Sequence, residues 1–186
     1  LRRVLKETKQ QRWYLFWRSY FDGKKFDEDK LALETFYRNN GYRDFTILSD
    51  TTAVNDGQKR MDIIISVIEG PRYRYRNFSW DGNTLFNNEI LNKALNLKRG
   101  DYFNEEEFNV AVYNNMQGLY MDRGYIYSRV DPQFTPVGED SLDIHFPIVE
   151  NHQVNVRNIY ITGNDHTREN VIRRELSIFP GDIFNR

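Results

Sequence analysis

The chain reads as an α+β protein built from tandem modules, each a three-stranded mixed sheet with two helices on one face. Three observations predict this class. The sequence repeats at a period near 80 residues. Within one period, alternating and helical apolar patterns follow in the order strand, helix, helix, strand, strand. Glycine-containing turns separate them. Arg76-Asn77-Phe78-Ser79-Trp80-Asp81-Gly82-Asn83 returns 81 positions later as Arg157-Asn158-Ile159-Tyr160-Ile161-Thr162-Gly163-Asn164. Gly100-Asp101-Tyr102-Phe103-Asn104 maps without a gap onto Gly181-Asp182-Ile183-Phe184-Asn185. Backwards, Tyr120, Gly124 and Tyr125 echo Tyr37, Gly41 and Tyr42, and Asp143-Ile144 with Glu150 echoes Asp62-Ile63 with Glu69. Repetition on this scale marks an array of small modules, which binds or connects other molecules more often than it catalyses.

The central unit, 72–151, contains every element. Arg74, Arg76, Phe78 and Trp80 alternate with Tyr73, Tyr75, Asn77 and Ser79, the period of a strand, and Gly82-Asn83 ends it with turn chemistry. Asn87 is placed to cap a helix carrying Ile90, Leu91, Ala94 and Leu95. Gly100-Asp101 breaks that helix, and Asn104 with Glu107 forms the capping box of a second. Phe108, Val112, Met116, Leu119 and Tyr120 supply its stripe, and Gly124 its left-handed stop. Tyr125 to Val130 reads as a strand, Pro136 to Asp140 as a turn and Leu142 to Val149 as a closing strand. Pro147 cannot donate to a ladder, so a bulge or an early end to pairing is expected there.

The first unit, 1–71, lacks an opening strand: Asp27 caps a helix with Leu33, Phe36 and Tyr37, Gly41 stops it, and strands follow at Phe45–Leu48 and Met61–Ile68. The third, 152–186, covers the opening half, with Thr167 as the helix cap before Val171, Ile172 and Leu176. Two incomplete units flanking a complete one suggest a window on a longer chain. The junctions Glu69-Gly70-Pro71 and Glu150-Asn151-His152 are short, which restricts hinging.

Composition narrows the function. The 39% hydrophobic and 15% aromatic content suffices for several small cores, and a formal charge of −1 provides no general attraction to nucleic acid or anionic membrane. There is no cysteine, and the densest apolar run, Met61 to Ile68, is far short of a membrane span. His145, His152 and His166 have no metal-ligand spacing, Glu105-Glu106-Glu107 fits helix capping, and no phosphate loop or nucleophile motif is present. The expectation is a segment with no catalytic residue, metal site or cofactor.

The strand ending in Gly-Asn, the Gly-Asp-x-Phe turn, the helix ending Tyr-x-x-x-Gly-Tyr and the closing strand ending in Glu together resemble the POTRA domain. The third unit's Ile161-Thr162-Gly163-Asn164, Thr167, Glu169, Val171, Glu175-Leu176 and Pro180-Gly181-Asp182-Ile183-Phe184 look like the start of a POTRA domain in BamA-type outer-membrane assembly proteins. The resemblance implies a periplasmic array followed by a membrane β-barrel outside this segment. Its implied partners are nascent outer-membrane β-barrel polypeptides and accessory assembly lipoproteins. A related secretion or translocation protein is the alternative within the family.

In such domains the resemblance puts the second strand at a sheet edge, where an extended chain can pair with little sequence preference. The candidate edges are Phe45-Thr46-Ile47-Leu48 and Tyr127-Ser128-Arg129-Val130. The plain alternative is that each is covered by a neighbouring module. An aromatic insert with Trp13, Tyr14 and Trp17 is a candidate docking surface, or else packs on its own unit's core. Arg72-Tyr73-Arg74-Tyr75-Arg76 interleaves cations with aromatics as RNA-binding segments do, and reads more simply as cation–π pairing on a strand. A KH-like RNA module also has strand-helix-helix-strand order, but Lys98-Arg99-Gly100-Asp101 lacks the second glycine of its Gly-x-x-Gly loop. No nucleic-acid partner is expected.

Overall fold

A computed structural model describes residues 4–5, 21–55 and 60–184. The chain forms two compact units, residues 1–77, 98–108 and 135–143, and residues 78–97, 109–134 and 144–186.

In the first unit, helix α1 (Gly23–Asn39) packs on a two-stranded antiparallel sheet of β1 (Thr46–Asn55) and β2 (Arg60–Ile68). The helix starts earlier than the sequence reading placed it. Asp22, in extended conformation, is the cap and accepts from the Lys24 N–H at 3.0 Å, whereas Asp27 lies inside the helix and pairs with Lys30. The earlier start brings Phe26 into the buried set. Leu33, Tyr37 and Phe45 form the core, with the rings of Tyr37 and Phe45 stacked 4.0 Å apart, and Tyr42, Ile47 and Val67 close around them. Tyr37 donates to the Glu69 carboxylate at 2.7 Å; burial, then that bond, push its phenol up to about 12.

The larger sheet has the order β3 (Arg74–Asp81), β6 (Ser141–Val149), β4 (Arg129–Val130), with β5 (Gln133–Val137) also pairing β6. β4 runs antiparallel to β6. β3 runs parallel to it: the Arg74 N–H meets the Asp140 carbonyl, and farther along both strands Ser79 meets His145. The sheet is therefore mixed. Leu142, Ile144, Phe146 and Ile148 are buried at alternate positions of β6, the pattern of a strand with one face covered.

Two strand boundaries differ from the sequence reading. Tyr125 to Ser128 form a turn rather than a strand, and Gln133–Val137, with Pro136 inside it, is a strand rather than part of the turn. The predicted disturbance at Pro147 appears on the facing chain. β6 runs unbroken, while its partner is interrupted at Asp131-Pro132, directly after the Val130↔Ile148 pair. There the Asp131 N–H reaches the Pro147 carbonyl at 3.3 Å, a bond that needs no donor from proline.

In the second unit, α2 (Asn88–Leu95) is capped by Asn87, which accepts from the Ile90 N–H at 2.9 Å as expected. The long second helix opens within the first unit's residues as α3 (Glu105–Asn109), passes through seven π-helical residues, Val110–Met116, and ends in α4 (Gln117–Met121). Its stripe explains the widening. Phe108, Val112, Met116 and Tyr120 are all buried and spaced by four, a period that drifts around a pure 3.6-residue helix and is brought back to one face by a wider turn. Trp80 stacks on Phe146 with centroids 4.4 Å apart, and Phe86 meets Tyr120 edge-on at 5.0 Å.

The capping box at Asn104 is only half as predicted. Asn104 accepts from the Glu107 N–H, but its own N–H goes to the Tyr75 hydroxyl instead of the Glu107 side chain. Thr167 does not cap the last helix, α5 (Glu169–Glu175). Arg168 occupies that position without a side-chain bond, and Asn164 binds the Thr167 carbonyl. Nor does the segment after Asn155 form the predicted strand: it makes one bridge, Asn155↔Ile183. The counterpart of β6, 81 positions on, is not among these 186 residues, so no partner strand lies beside it among the described residues.

Candidate functional site

The first candidate edge lies on β1. Phe45, just before the strand, is 1% exposed and belongs to the core. Thr46 and Ile47 pair with Ile68 and Val67, after which the register slips and Ser49 pairs with Ser66. Leu48 is the extra residue of this bulge and is 60% exposed. The slip has a consequence for charge. An uninterrupted strand would turn Asp50 to the face away from Ile47, whereas the bulge returns it to the helix side, where Lys30 of α1 reaches it at 2.6 Å.

Lys30 also holds Asp27 at 2.9 Å, so one ammonium ties helix and strand together. Hydrogen bonds to Asp27 and then Asp50 raise the Lys30 pKa, and the bond from Lys30 lowers that of Asp50. Leu31, Glu34, Ile47 and Leu48 line the shallow groove beside this bridge. Among the described residues β1 pairs with β2 alone, and its other long side carries no strand.

The second candidate is arranged differently. Arg129 and Val130 pair with Val149 and Ile148, but Tyr127 and Ser128 precede the strand. The Tyr127 carbonyl accepts from the Asn151 amide at 2.7 Å, and the Ser128 carbonyl from the Gln117 amide at 2.9 Å. Side chains thus occupy two of the acceptors that an incoming chain would use. Ser128 is 3% exposed, and its hydroxyl has no hydrogen-bond partner among the described residues. Trp13, Tyr14 and Trp17 lie outside the described residues. Among the described residues no group of three or more His, Asp or Glu side chains could hold a metal ion.

Sequence reasoning located the two junctions but missed the backbone bonds that form the joints beside them. In the first, the Tyr73 N–H donates to the Gly41 carbonyl and the Phe103 N–H to the Tyr73 carbonyl, each at 2.9 Å. In the second, Val154 donates to Gly124 and Phe184 to Val154, again at 2.9 Å. Tyr75 with Asp101 and Gly100 is reproduced by Val156 with Asp182 and Gly181. The signal was present in the 81-residue offset, but an offset does not say which backbone groups meet.

Around the first joint, Tyr73 and Tyr75 are buried, and Arg72 and Arg74 lie 3.5 Å and 3.7 Å from the Tyr102 ring centroid. Arg76 pairs with Asp143. The alternating cations and rings therefore form a strand with cation–π partners, not a stacking platform of free rings.

The fold and the repeated joints agree with a scan against protein-family models. The model described as POTRA, surface antigen variable number repeat, matches residues 1–70, 73–151 and 154–186. The chain belongs to the POTRA family. Among proteins similar to this POTRA array is the outer membrane protein assembly factor BamA of Neisseria meningitidis serogroup B, 35% identical over 161 residues, which are 84% of this chain and 20% of that protein. BamA of Buchnera aphidicola is 28% identical over 175 residues, 93% of this chain and 28% of that protein. The chain thus spans between a fifth and three tenths of these relatives' length. The crystal structure of Haemophilus influenzae BamA POTRA3-5 superposes with a TM-score of 0.69 at 23% identity, covering 98% of this chain and 73% of that one, a likeness of fold. Among the described residues no helix is long and apolar enough to cross a membrane.

Proposed function

We propose that this chain is the periplasmic segment of a BamA-like protein that folds and inserts β-barrel proteins into the outer membrane. Its modules, 1–71, 72–151 and 152–186, receive extended polypeptide segments by strand addition, and accessory assembly lipoproteins share the same array. A barrel outside this segment anchors it.

The observation that supports the reading best is the side of β1, beside the groove of α1, that carries no strand among the described residues. A strand edge offers N–H and C=O groups to any extended chain, and the groove offers Leu31 and Leu48 to its side chains. Main-chain pairing suits a receiver of many different barrel segments, because it asks little of their sequence. Of the two candidate edges, Thr46–Asn55 is the better one, since the carbonyls at Tyr127 and Ser128 are already engaged.

The test is an amide NMR titration with a peptide from the last strand of an outer-membrane barrel protein. Shifts should concentrate along Thr46–Asn55, and proline at Ile47 should weaken binding while α1 stays folded. Shifts confined to the outer faces of the helices would remove strand addition as the mechanism.

A further inference from the structure

The two joints act as an internal control for each other. Their backbone bonds match at offsets of 81 to 83, yet the side chains around them differ. Arg72, Arg74 and Tyr102 of the first joint correspond to Gln153, Asn155 and Ile183 of the second. The bridge Arg74↔Tyr102 recurs as Asn155↔Ile183. Even the side-chain tie recurs: Arg72 Nε donates to the Asn40 carbonyl at 2.8 Å, and Gln153 Nε2 to the Arg123 carbonyl at 2.9 Å. A joint of this geometry forms without guanidinium or phenol. The Arg–Tyr–Arg stack is thus surplus to the backbone geometry both joints share.

The stack has the properties of an anion receptor. Tyr102 is 37% exposed, with a guanidinium carbon 3.5 Å and another 3.7 Å from its ring centroid. Arg72 is fixed by Asn40, and Arg74 by the Gly100 carbonyl at 2.8 Å and by the Tyr102 hydroxyl. Stacking and these bonds hold both groups in place before a partner arrives, which lowers the ordering cost of binding. Neither takes part in an ion pair among the described residues, in contrast to Arg76, held by Asp143, and Arg43, held by Asp44. Lys98 and Arg99, both exposed, precede Gly100 in the same loop and add to the positive charge.

We propose that Arg72 and Arg74, stacked on Tyr102, form a docking site for an acidic segment of a partner protein, one carrying two or more neighbouring carboxylates. Guanidinium groups bind carboxylates through paired N–H donors, and two fixed groups select a segment with carboxylates close together. A discrete segment fits better than an anionic membrane surface: two guanidinium groups on one ring match a few neighbouring carboxylates, whereas a formal charge of −1 gives no general attraction to a sheet of negative headgroups.

The experiment is fluorescence anisotropy of the whole chain with labelled hexaglutamate and, as control, labelled hexaglutamine. Hexaglutamate should bind with an affinity that falls as salt rises. The double variant Arg72→Gln with Arg74→Gln should lose at least about tenfold. Tyr102→Ala should also weaken binding, whereas Tyr102→Phe, which keeps the ring, should retain most of it. Amide shifts of Tyr73 and Phe103 report the joint, and should hold their positions in the double variant. Equal binding of hexaglutamine, a double variant within twofold of the parent, or collapse of the Tyr73 and Phe103 signals would each overturn the proposal. So would binding to phosphatidylglycerol vesicles without binding to hexaglutamate.

Discussion

Gly82 follows β3 with φ +76, and a Cβ built on it would stand 2.1 Å from the Ile148 carbonyl oxygen of β6. That is 0.9 Å inside the shortest contact that real Cβ atoms make, and the obstacle is backbone that no rotamer change can remove. Gly100 is a matched control: its φ is +90, but nothing lies within 4 Å of its added Cβ. Alanine at Gly100 should cost only the left-handed backbone conformation, about 1–2 kcal/mol. Alanine at Gly82 carries the same cost and also pushes β3 away from the end of β6. Glu150 sits there, accepting from the Thr84 and Leu85 N–H groups at 2.8 Å and 2.9 Å, and hydrogen bonds to a charged group are worth about 1.5–3 kcal/mol each. Loss of even one brings Gly82→Ala to about 2.5–5 kcal/mol in total. Urea unfolding followed by far-UV circular dichroism would measure both variants, with the Thr84 amide shift as a local reporter. Equal losses for the two alanines would refute the claim that the close approach, rather than the positive φ, makes Gly82 necessary.

Glu150 provides a pH test. Burial opposes its ionisation, but the Leu85 and Thr84 donors outweigh burial and hold its pKa below the ordinary carboxylate range. A depressed folded pKa means that this stabilisation is present above the unfolded pKa and lost as pH falls through the folded one. Glu150→Gln should therefore flatten the acid limb of stability against pH, measured by urea midpoints; an unchanged limb would place the effect elsewhere. Tyr37→Phe should cost about 1 kcal/mol through loss of the bond to Glu69. At high pH the Tyr37 contribution, fully present below the unfolded phenol pKa, should fade as pH rises toward about 12. Asn104→Ala should cost about 1 kcal/mol through the lost cap on the Glu107 N–H, read in the same unfolding assay.

The element order was legible in the sequence because it is written in local patterns. The buried positions of β6 alternate, the stripe of the long helix recurs every four residues, and Asn87 caps where a short polar side chain precedes an apolar helix. The errors came where a distant group decided the outcome. Asp27 looked like a cap but pairs with Lys30, which Asp50 of β1 holds from the strand side, and Asp22 caps the helix instead through the Lys24 N–H. Pro147 announced a defect, but the strand facing it absorbed the defect at Asp131-Pro132. At the candidate edge the residues from Thr46 to Leu48 were correctly placed on or beside a strand. Nothing local betrayed the bulge, because register depends on the partner strand. The engagement of Tyr127 and Ser128 by Asn151 and Gln117 was hidden for the same reason.

The repeat also separates what the fold requires from what it leaves free. Glu69 and Glu150 occupy equivalent ends of β2 and β6, yet Glu69 receives the Tyr37 hydroxyl while Glu150 receives the Thr84 and Leu85 N–H groups. Each carboxylate closes the end of its sheet, by whichever donors the rest of its module supplies. Joint backbones follow the same logic in reverse. Their bonds are the same in both places although the side chains around them change from Arg72, Arg74 and Tyr102 to Gln153, Asn155 and Ile183. A difference that leaves the geometry untouched cannot be explained by the geometry, and the hexaglutamate titration asks whether binding explains it.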